Sequence, residues 1–119
     1  MGNALVVDDS STERKILTGY LQELGISVTT AESGEEALEK IKGNTPDLVV
    51  LDVVLPGKSG FEVCREIKSG TKTGKIPIII CSTKGSEMDK FWGMKQGADA
   101  YISKPVDKEE FLSAVKKLI

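Results

Sequence analysis

Asp8-Asp9 follow the apolar run 4–7, Asp52 follows the run 48–51, Ser82-Thr83 follow Ile78-Ile79-Ile80-Cys81, and Ser103-Lys104-Pro105 follow residues 100–102. Carboxylates, hydroxyls and an ammonium thus recur where apolar segments stop. Three carboxylates gathered together repel one another, and protonation, water or a cation relieves the repulsion. The chain has no histidine, so the ligands on offer are hard oxygens. These suit Mg2+, which keeps several waters and binds carboxylates beside a phosphate. The missing histidine also excludes Ser-His-Asp, Cys-His and His-rich zinc chemistry. A hydroxyl nucleophile needs a base, whereas a carboxylate is already an anion. Carboxylate attack on phosphorus gives an acyl phosphate, and phosphoryl transfer mainly needs positioning and charge neutralisation. Asp52, with the acidic pair on one side and Ser82 and Lys104 on the other, is the best-placed acceptor. The plain alternative is that Asp8 and Asp9 cap a helix and Asp52 merely ends a strand.

Five short runs rich in branched residues, 4–7, 26–30, 48–51, 76–80 and 100–102, read as strands. Leu48-Val49-Val50-Leu51 and Ile78-Ile79-Ile80 are apolar at every position, as strands covered on both faces must be. Helical stripes lie between them: Ile16, Leu17, Tyr20, Leu21 and Leu24; Ala37, Leu38 and Ile41; Phe61, Cys64 and Ile67; and Phe111, Leu112, Val115 and Leu118. Capping pairs precede five helical segments: Ser10/Glu13, Ser33/Glu36, Ser59/Glu62, Ser86/Asp89 and Asp107/Glu110. Gly25 and Gly97 are placed to end the first and fourth helices.

Alternating strands and helices with fully apolar strands predict an α/β fold, a parallel sheet with helices on both faces. Five units are too few for an eight-stranded barrel. The open, doubly wound, flavodoxin-like (βα)5 arrangement with strand order 2-1-3-4-5 fits, as one domain over residues 1–119. Ligands of such sheets bind beyond the carboxyl ends of the strands, where the strand order reverses. That point lies between strands one and three, where Asp8, Asp9 and Asp52 end their segments.

Sixteen Lys and Arg against eighteen Asp and Glu, a net charge of −2, argue against a dedicated nucleic-acid binder. No apolar run approaches the roughly 20 residues that span a bilayer. Cys64 and Cys81 lie in apolar stretches without a CxxC motif; read as buried free thiols, they suit a reducing cytoplasm.

The chain resembles a response-regulator receiver domain of the stand-alone, CheY-like type. Val7-Asp8-Asp9-Ser10 and Leu51-Asp52-Val53-Val54-Leu55-Pro56-Gly57-Lys58-Ser59-Gly60 carry the likeness. Pro77-Ile78-Ile79-Ile80-Cys81-Ser82-Thr83, Gly97-Ala98-Asp99-Ala100-Tyr101 and Lys104-Pro105 extend it over essentially the whole chain. The resemblance implies that Asp52 is the phosphoacceptor, and that Asp8 and Asp9 hold Mg2+ with Asp52 and the Val54 backbone carbonyl. Ser82, favoured by spacing over the adjacent Thr83, would bond the phosphoryl group. Lys104 matches the family's lysine, with a cis Lys104-Pro105 bond, and Tyr101 the aromatic whose rotamer follows phosphorylation. The implied donor is a sensor histidine kinase or phosphotransfer protein; having no histidine, this chain needs the donor imidazole from another protein.

Two positions depart from common family usage. Val54 and Lys84 stand two residues after Asp52 and Ser82, where side chains flank the attacking water. Val54 cannot orient water by a side-chain hydrogen bond, so self-dephosphorylation is expected to be slow. On the fourth helix Phe91 and Met94 share a face, and Trp92 lies about 160° from Met94 and on the side of Met88. Either the helix turns to bury Trp92 partly, or Met88 and Trp92 form an exposed partner patch. The family's output surface, fourth helix, fifth strand and fifth helix, includes Tyr101.

The leading expectation is therefore a phosphorylation-controlled binding switch acting on a downstream protein, as a monomer or a phosphorylation-dependent dimer. It binds neither nucleic acid nor membrane and is not an enzyme beyond its own phosphorylation and dephosphorylation. No helix-turn-helix follows Ile119 in this sequence, which is consistent with output through a protein. Competing readings are a phosphate sink, a Mg2+-dependent phosphohydrolase and a flavodoxin-like electron carrier. The phosphohydrolase lacks its DxDxT motif and cap. The electron carrier would set three carboxylates against a flavin phosphate.

Overall fold

The computed structural model describes residues 2–119; Met1 of the expected 1–119 domain lies outside them. Five strand-helix units follow in order: β1 Asn3–Val7, α1 Ser11–Glu23, β2 Ser27–Ala31, α2 Gly34–Gly43, β3 Leu48–Leu51, α3 Gly60–Ser69, β4 Ile78–Ser82, α4 Glu87–Lys95, β5 Ala100–Ser103 and α5 Lys108–Leu118. All strand pairs are parallel and the order is β2-β1-β3-β4-β5. The chain has the expected doubly wound flavodoxin-like architecture.

Strand residues alternate between two cores because successive side chains leave opposite faces of a strand. Leu5, Val7, Val49, Leu51, Ile78 and Ile80 pack with Ala37 and Ile41 of α2 and Val63, Cys64 and Ile67 of α3. Ala4, Val6, Leu48, Val50, Ile79 and Cys81 pack with Leu17 and Leu21 of α1 and Phe111, Leu112 and Val115 of α5. Cys64 and Cys81, both buried and free, thus lie on opposite sides of the sheet, which keeps them from pairing. Burial raises the Cys64 thiol to about 11 and pushes Cys81 higher still, so neither is a ready thiolate at neutral pH.

Each helix begins on the expected cap: Ser10, Ser33, Ser59, Ser86 and Asp107 accept from the amide three residues on. Such caps each contribute about 1 kcal/mol. The reciprocal acid-to-cap bond forms only in α3 and α4. In α2, Glu36 accepts instead from the Glu32 amide at 2.9 Å. Gly25 and Gly97 follow α1 and α4 with φ of 76° and 104°.

Two strand starts differ from expectation. Ile26 and Ile76 are buried but precede β2 and β4. Their amides bond back to Leu21 and Thr73 carbonyls at 3.2 and 3.0 Å, so turns, not the sheet, take those donors. At the other end β4 and β5 run on to Ser82 and Ser103, which pair with each other. Ser82 thus closes β4 itself, whereas Asp8, Asp52 and Lys104 each stand one residue beyond β1, β3 and β5.

Candidate functional site

Asp8 and Asp52 leave the ends of the adjacent strands β1 and β3, where the sheet order reverses. The Asp52 amide donates to the Val7 carbonyl at 3.0 Å and the Asp8 amide to the Ala31 carbonyl at 3.1 Å. These bonds fix the carboxylates as if each ladder ran one residue further. Both residues are buried, Asp8 at 1% and Asp52 at 8% exposure. Buried carboxylates need partners, and they share one: Lys104 Nζ stands 2.7 Å from Asp8 Oδ2 and 3.0 Å from Asp52 Oδ2.

The remaining oxygens take backbone donors. Asp8 Oδ1 accepts from the Ser10 amide at 2.9 Å, and Asp52 Oδ1 accepts from the Val54 amide at 3.3 Å. Lys104 arrives from the end of β5, with its amide bonded to the Ser82 carbonyl at 2.9 Å and a cis bond to Pro105. Burial disfavours its charge, but hydrogen bonds to Asp8 and Asp52 outweigh burial and hold its pKa above the ordinary value. The ammonium is therefore charged throughout the neutral range.

Ser82 ends β4 with no exposed surface, and its hydroxyl accepts from the Lys84 amide at 3.2 Å. Tyr101 donates its hydroxyl to the Lys84 carbonyl. Burial, then the nearby Asp89 and Asp52 charges, push its phenol up to about 12, so it remains a donor. A chain of contacts, Ser82 to Lys84 to Tyr101, therefore leads from the acidic centre to β5. Thr83 is exposed beyond the strand end.

Asp9 is exposed beside Asp8. Among the described residues, no three acidic, cysteine or histidine side chains are grouped to hold a metal by themselves. The acids therefore converge less than their positions in sequence suggest: the Lys104 ammonium bridges two of them, and the third faces solvent. Two buried carboxylates with only oxygen donors nonetheless match the chemistry of Mg2+, which takes one or two carboxylates and fills its remaining positions with water and phosphate oxygens.

Two contributors escape the residue-type reading. Arg14 Nη1 donates to the Asp8 carbonyl at 2.7 Å and braces the end of β1. A base near the start of a helix runs against the helix dipole, and that was the available signal. Gly60 is the other. A Cβ there would stand 1.9 Å from the Asp52 carbonyl oxygen, and its amide donates to Val53 at 2.8 Å. Only glycine lets α3 begin directly over the strand end that carries Asp52.

On α4 both members of the expected patch are exposed, Met88 at 77% and Trp92 at 52%. Phe91 and Met94, set on another face by their spacing, are exposed as well at 58% and 49%. The reason is Gly93, the buried residue of α4. A Cβ there would come within 2.7 Å of the Tyr101 ring and 3.3 Å of Ile80. The helix rests on its glycine, so its large side chains point away from the sheet.

An aspartate-lysine centre at the switch point of this sheet, with a buried serine and a partly buried tyrosine beside it, defines a signalling receiver. Residues 4–116 match the response regulator receiver domain model, and the chain belongs to that family, within two-component signalling. It is 40% identical over 119 residues to Protein PilH of Pseudomonas aeruginosa, covering 100% of this chain and 98% of that one. A putative response regulator of Chloroflexus aurantiacus superposes with a TM-score of 0.94 at 35% identity, covering 98% of this chain and 96% of that one. The chemotaxis response regulator CheY4 of Vibrio cholerae gives 0.92 at 31% identity, covering 100% and 99%.

Proposed function

We propose that this single receiver domain, spanning 1–119, accepts a phosphoryl group on Asp52 from a histidine kinase or phosphotransfer protein in the cytoplasm and thereby changes its affinity for a protein partner. The observation that carries the reading is the Lys104 ammonium shared by the buried Asp8 and Asp52 carboxylates. A carboxylate oxygen of Asp52 attacks phosphorus as the bond from phosphorus to the donor's imidazole nitrogen breaks. The imidazole leaves with the bonding pair, and Asp52 becomes an acyl phosphate. Lys104 exchanges its contact with the Asp52 oxygen for one with a phosphoryl oxygen. Ser82 turns its hydroxyl from acceptor of the Lys84 amide to donor toward the phosphoryl group. Asp8, Asp9, Asp52 and the Val54 carbonyl would hold Mg2+, which when bound neutralises charge on the phosphoryl oxygens. Wild-type protein incubated with acetyl phosphate and Mg2+ should gain one phosphoryl adduct by intact mass, and EDTA added beforehand should prevent it; an adduct indifferent to EDTA would show that phosphorylation needs no metal.

Movement of Ser82 alters the Lys84 segment, and Tyr101, bonded to the Lys84 carbonyl, follows it. Tyr101 lies against Gly93, so the change reaches α4 and its exposed Met88, Phe91, Trp92 and Met94. Large exposed apolar groups of this kind favour a protein partner over a passive phosphate sink. Nucleic acid is not the partner, and no helix of the described residues is long and apolar enough to cross a membrane. The domain acts as a monomer or as a phosphorylation-dependent dimer. Trp92→Ala should weaken capture of the partner by 10-fold or more, on the order of 1–2 kcal/mol as for interface hot spots, while phosphorylation by acetyl phosphate stays unchanged. Equal loss of both would make Trp92 a folding residue instead.

The mouth of the site explains the expected lifetime of the acyl phosphate. Val54 is half exposed there and offers attacking water no side-chain hydrogen bond. Dephosphorylation of isolated phosphoprotein should take minutes or longer; decay within seconds, followed by intact mass, would contradict this.

A further inference from the structure

The loop between β3 and α3 carries the Val54 carbonyl, and little holds it. Its near end is tied by the Val54 amide to Asp52 Oδ1 and its far end by the Gly60 amide to the Val53 carbonyl. Both ties are internal to the loop and its own flanks. Among the described residues, one hydrogen bond joins the backbone of residues 54–58 to another helix: the Lys58 amide donates to Glu35 Oε2 at 3.2 Å.

Glu35 lies in the first turn of α2, which contributes no residue to the acidic centre. Two glycines bring its carboxylate onto the loop. At Gly34 a Cβ would meet Val63 at 2.5 Å and the Lys58 carbonyl at 3.2 Å, so the start of α2 packs directly on the loop backbone. At Gly57, whose φ is 72°, a Cβ would strike both Glu35 oxygens, at 2.6 and 2.7 Å. The Lys58 ammonium pairs with Glu66 at 2.6 Å, and the hydrogen bond of Lys58 to Glu35 is made by its backbone amide. The backbone amide is what Glu35 holds.

We propose that Glu35 is a positioning residue for metal-assisted phosphorylation: from a neighbouring helix it holds the loop so that the Val54 carbonyl faces the metal. The inference rests on the reading of Val54 and Asp52 given above. It differs from a long-range effect of negative charge, because what it requires is an acceptor oxygen at Lys58 N. Outer supports of metal ligands typically cost 10-fold or more in affinity when removed, whereas an exposed hydrogen bond contributes little to global stability.

The test titrates Mg2+ against acetyl-phosphate labelling of the full chain, read by intact mass, for wild type, Glu35→Ala and Glu35→Gln, with Mn2+ binding followed independently by electron paramagnetic resonance. Wild type showing no metal-dependent adduct would defeat the underlying reading, not this one alone. With that adduct present, Glu35→Ala should need about 10-fold more Mg2+ for half-maximal labelling. It should bind Mn2+ correspondingly more weakly, reach the wild-type level at saturating Mg2+ and keep the wild-type urea midpoint. Glu35→Gln, which retains an acceptor oxygen, should return to within about twofold of wild type. Unchanged half-saturation in Glu35→Ala would overturn the proposal. So would equal impairment of the Gln variant, which would assign the effect to charge, and so would labelling that saturating Mg2+ fails to restore.

Discussion

Asp52→Asn should abolish the phosphoryl adduct altogether. The amide that replaces the carboxylate is neutral and carries no oxygen nucleophile strong enough for phosphorus at neutral pH. The other oxygens are not positioned to substitute. Asp8, at 1% exposure, is more deeply buried than Asp52 at 8%, the Ser82 hydroxyl has the Lys84 amide rather than a base as its partner, and Asp9 and Thr83 face solvent. Loss of labelling should come without loss of fold. Asn keeps a carbonyl that can accept from Lys104, and it removes one of two negative charges that share that ammonium. Intact mass after acetyl phosphate treatment, with urea unfolding as the control, separates the two effects. Full labelling of the variant would place the acceptor elsewhere.

The second large effect belongs to Lys104. Its ammonium is the shared counter-charge of two buried carboxylates, and the side chain is 8% exposed. Removing one partner of a buried ion pair typically costs about 3–5 kcal/mol, because a charge is left buried without compensation. Domains of this size have only about 5–15 kcal/mol of stability in total, so Lys104→Ala should be severely destabilised in EDTA. Mg2+ offers the orphaned carboxylates another cation. The midpoint of unfolding should therefore rise more with Mg2+ in Lys104→Ala than in wild type. The variant should still fail to signal, since nothing replaces the ammonium at the phosphoryl group. The pH dependence follows from the raised pKa of Lys104. Its contribution is complete below the unfolded lysine value of about 10.4 and is lost as pH climbs through the higher folded value, so wild type should lose this stabilisation only in strong alkali. Urea titrations with and without Mg2+ read both effects. Equal response of the two proteins to Mg2+ would show that the metal does not meet these carboxylates.

The elements that position this site were legible because each rests on a local rule. Ser10, Ser33, Ser59, Ser86 and Asp107 announce helix starts through side chains that satisfy nearby amides. Unbroken apolar runs announce strands covered on both faces. Once β1, β3, β4 and β5 are placed, Asp8, Asp52, Ser82 and Lys104 follow at their ends, and the structure sets the first two on a common ammonium. Legibility failed where backbone atoms choose the partner. Ile26 and Ile76 look like strand residues, but their amides close turns. Glu35 and Arg14 bond to loop amides and carbonyls, which no periodicity reveals. On α4, spacing separates Trp92 from Phe91 and Met94, yet all three face outward because the helix leans on Gly93. A glycine carries no hydropathic weight, so a stripe analysis does not see the face that it buries.

The atom that takes up phosphorus can be identified chemically. Protein phosphorylated by acetyl phosphate with Mg2+ is treated with borohydride, which reduces an acyl phosphate of aspartate to homoserine, and the modified residue is located by peptide mass spectrometry. Homoserine at position 52 and nowhere else is the expected result. Modification at Asp8 or Asp9, or a borohydride-resistant phosphate on Ser82 or Thr83, would contradict it.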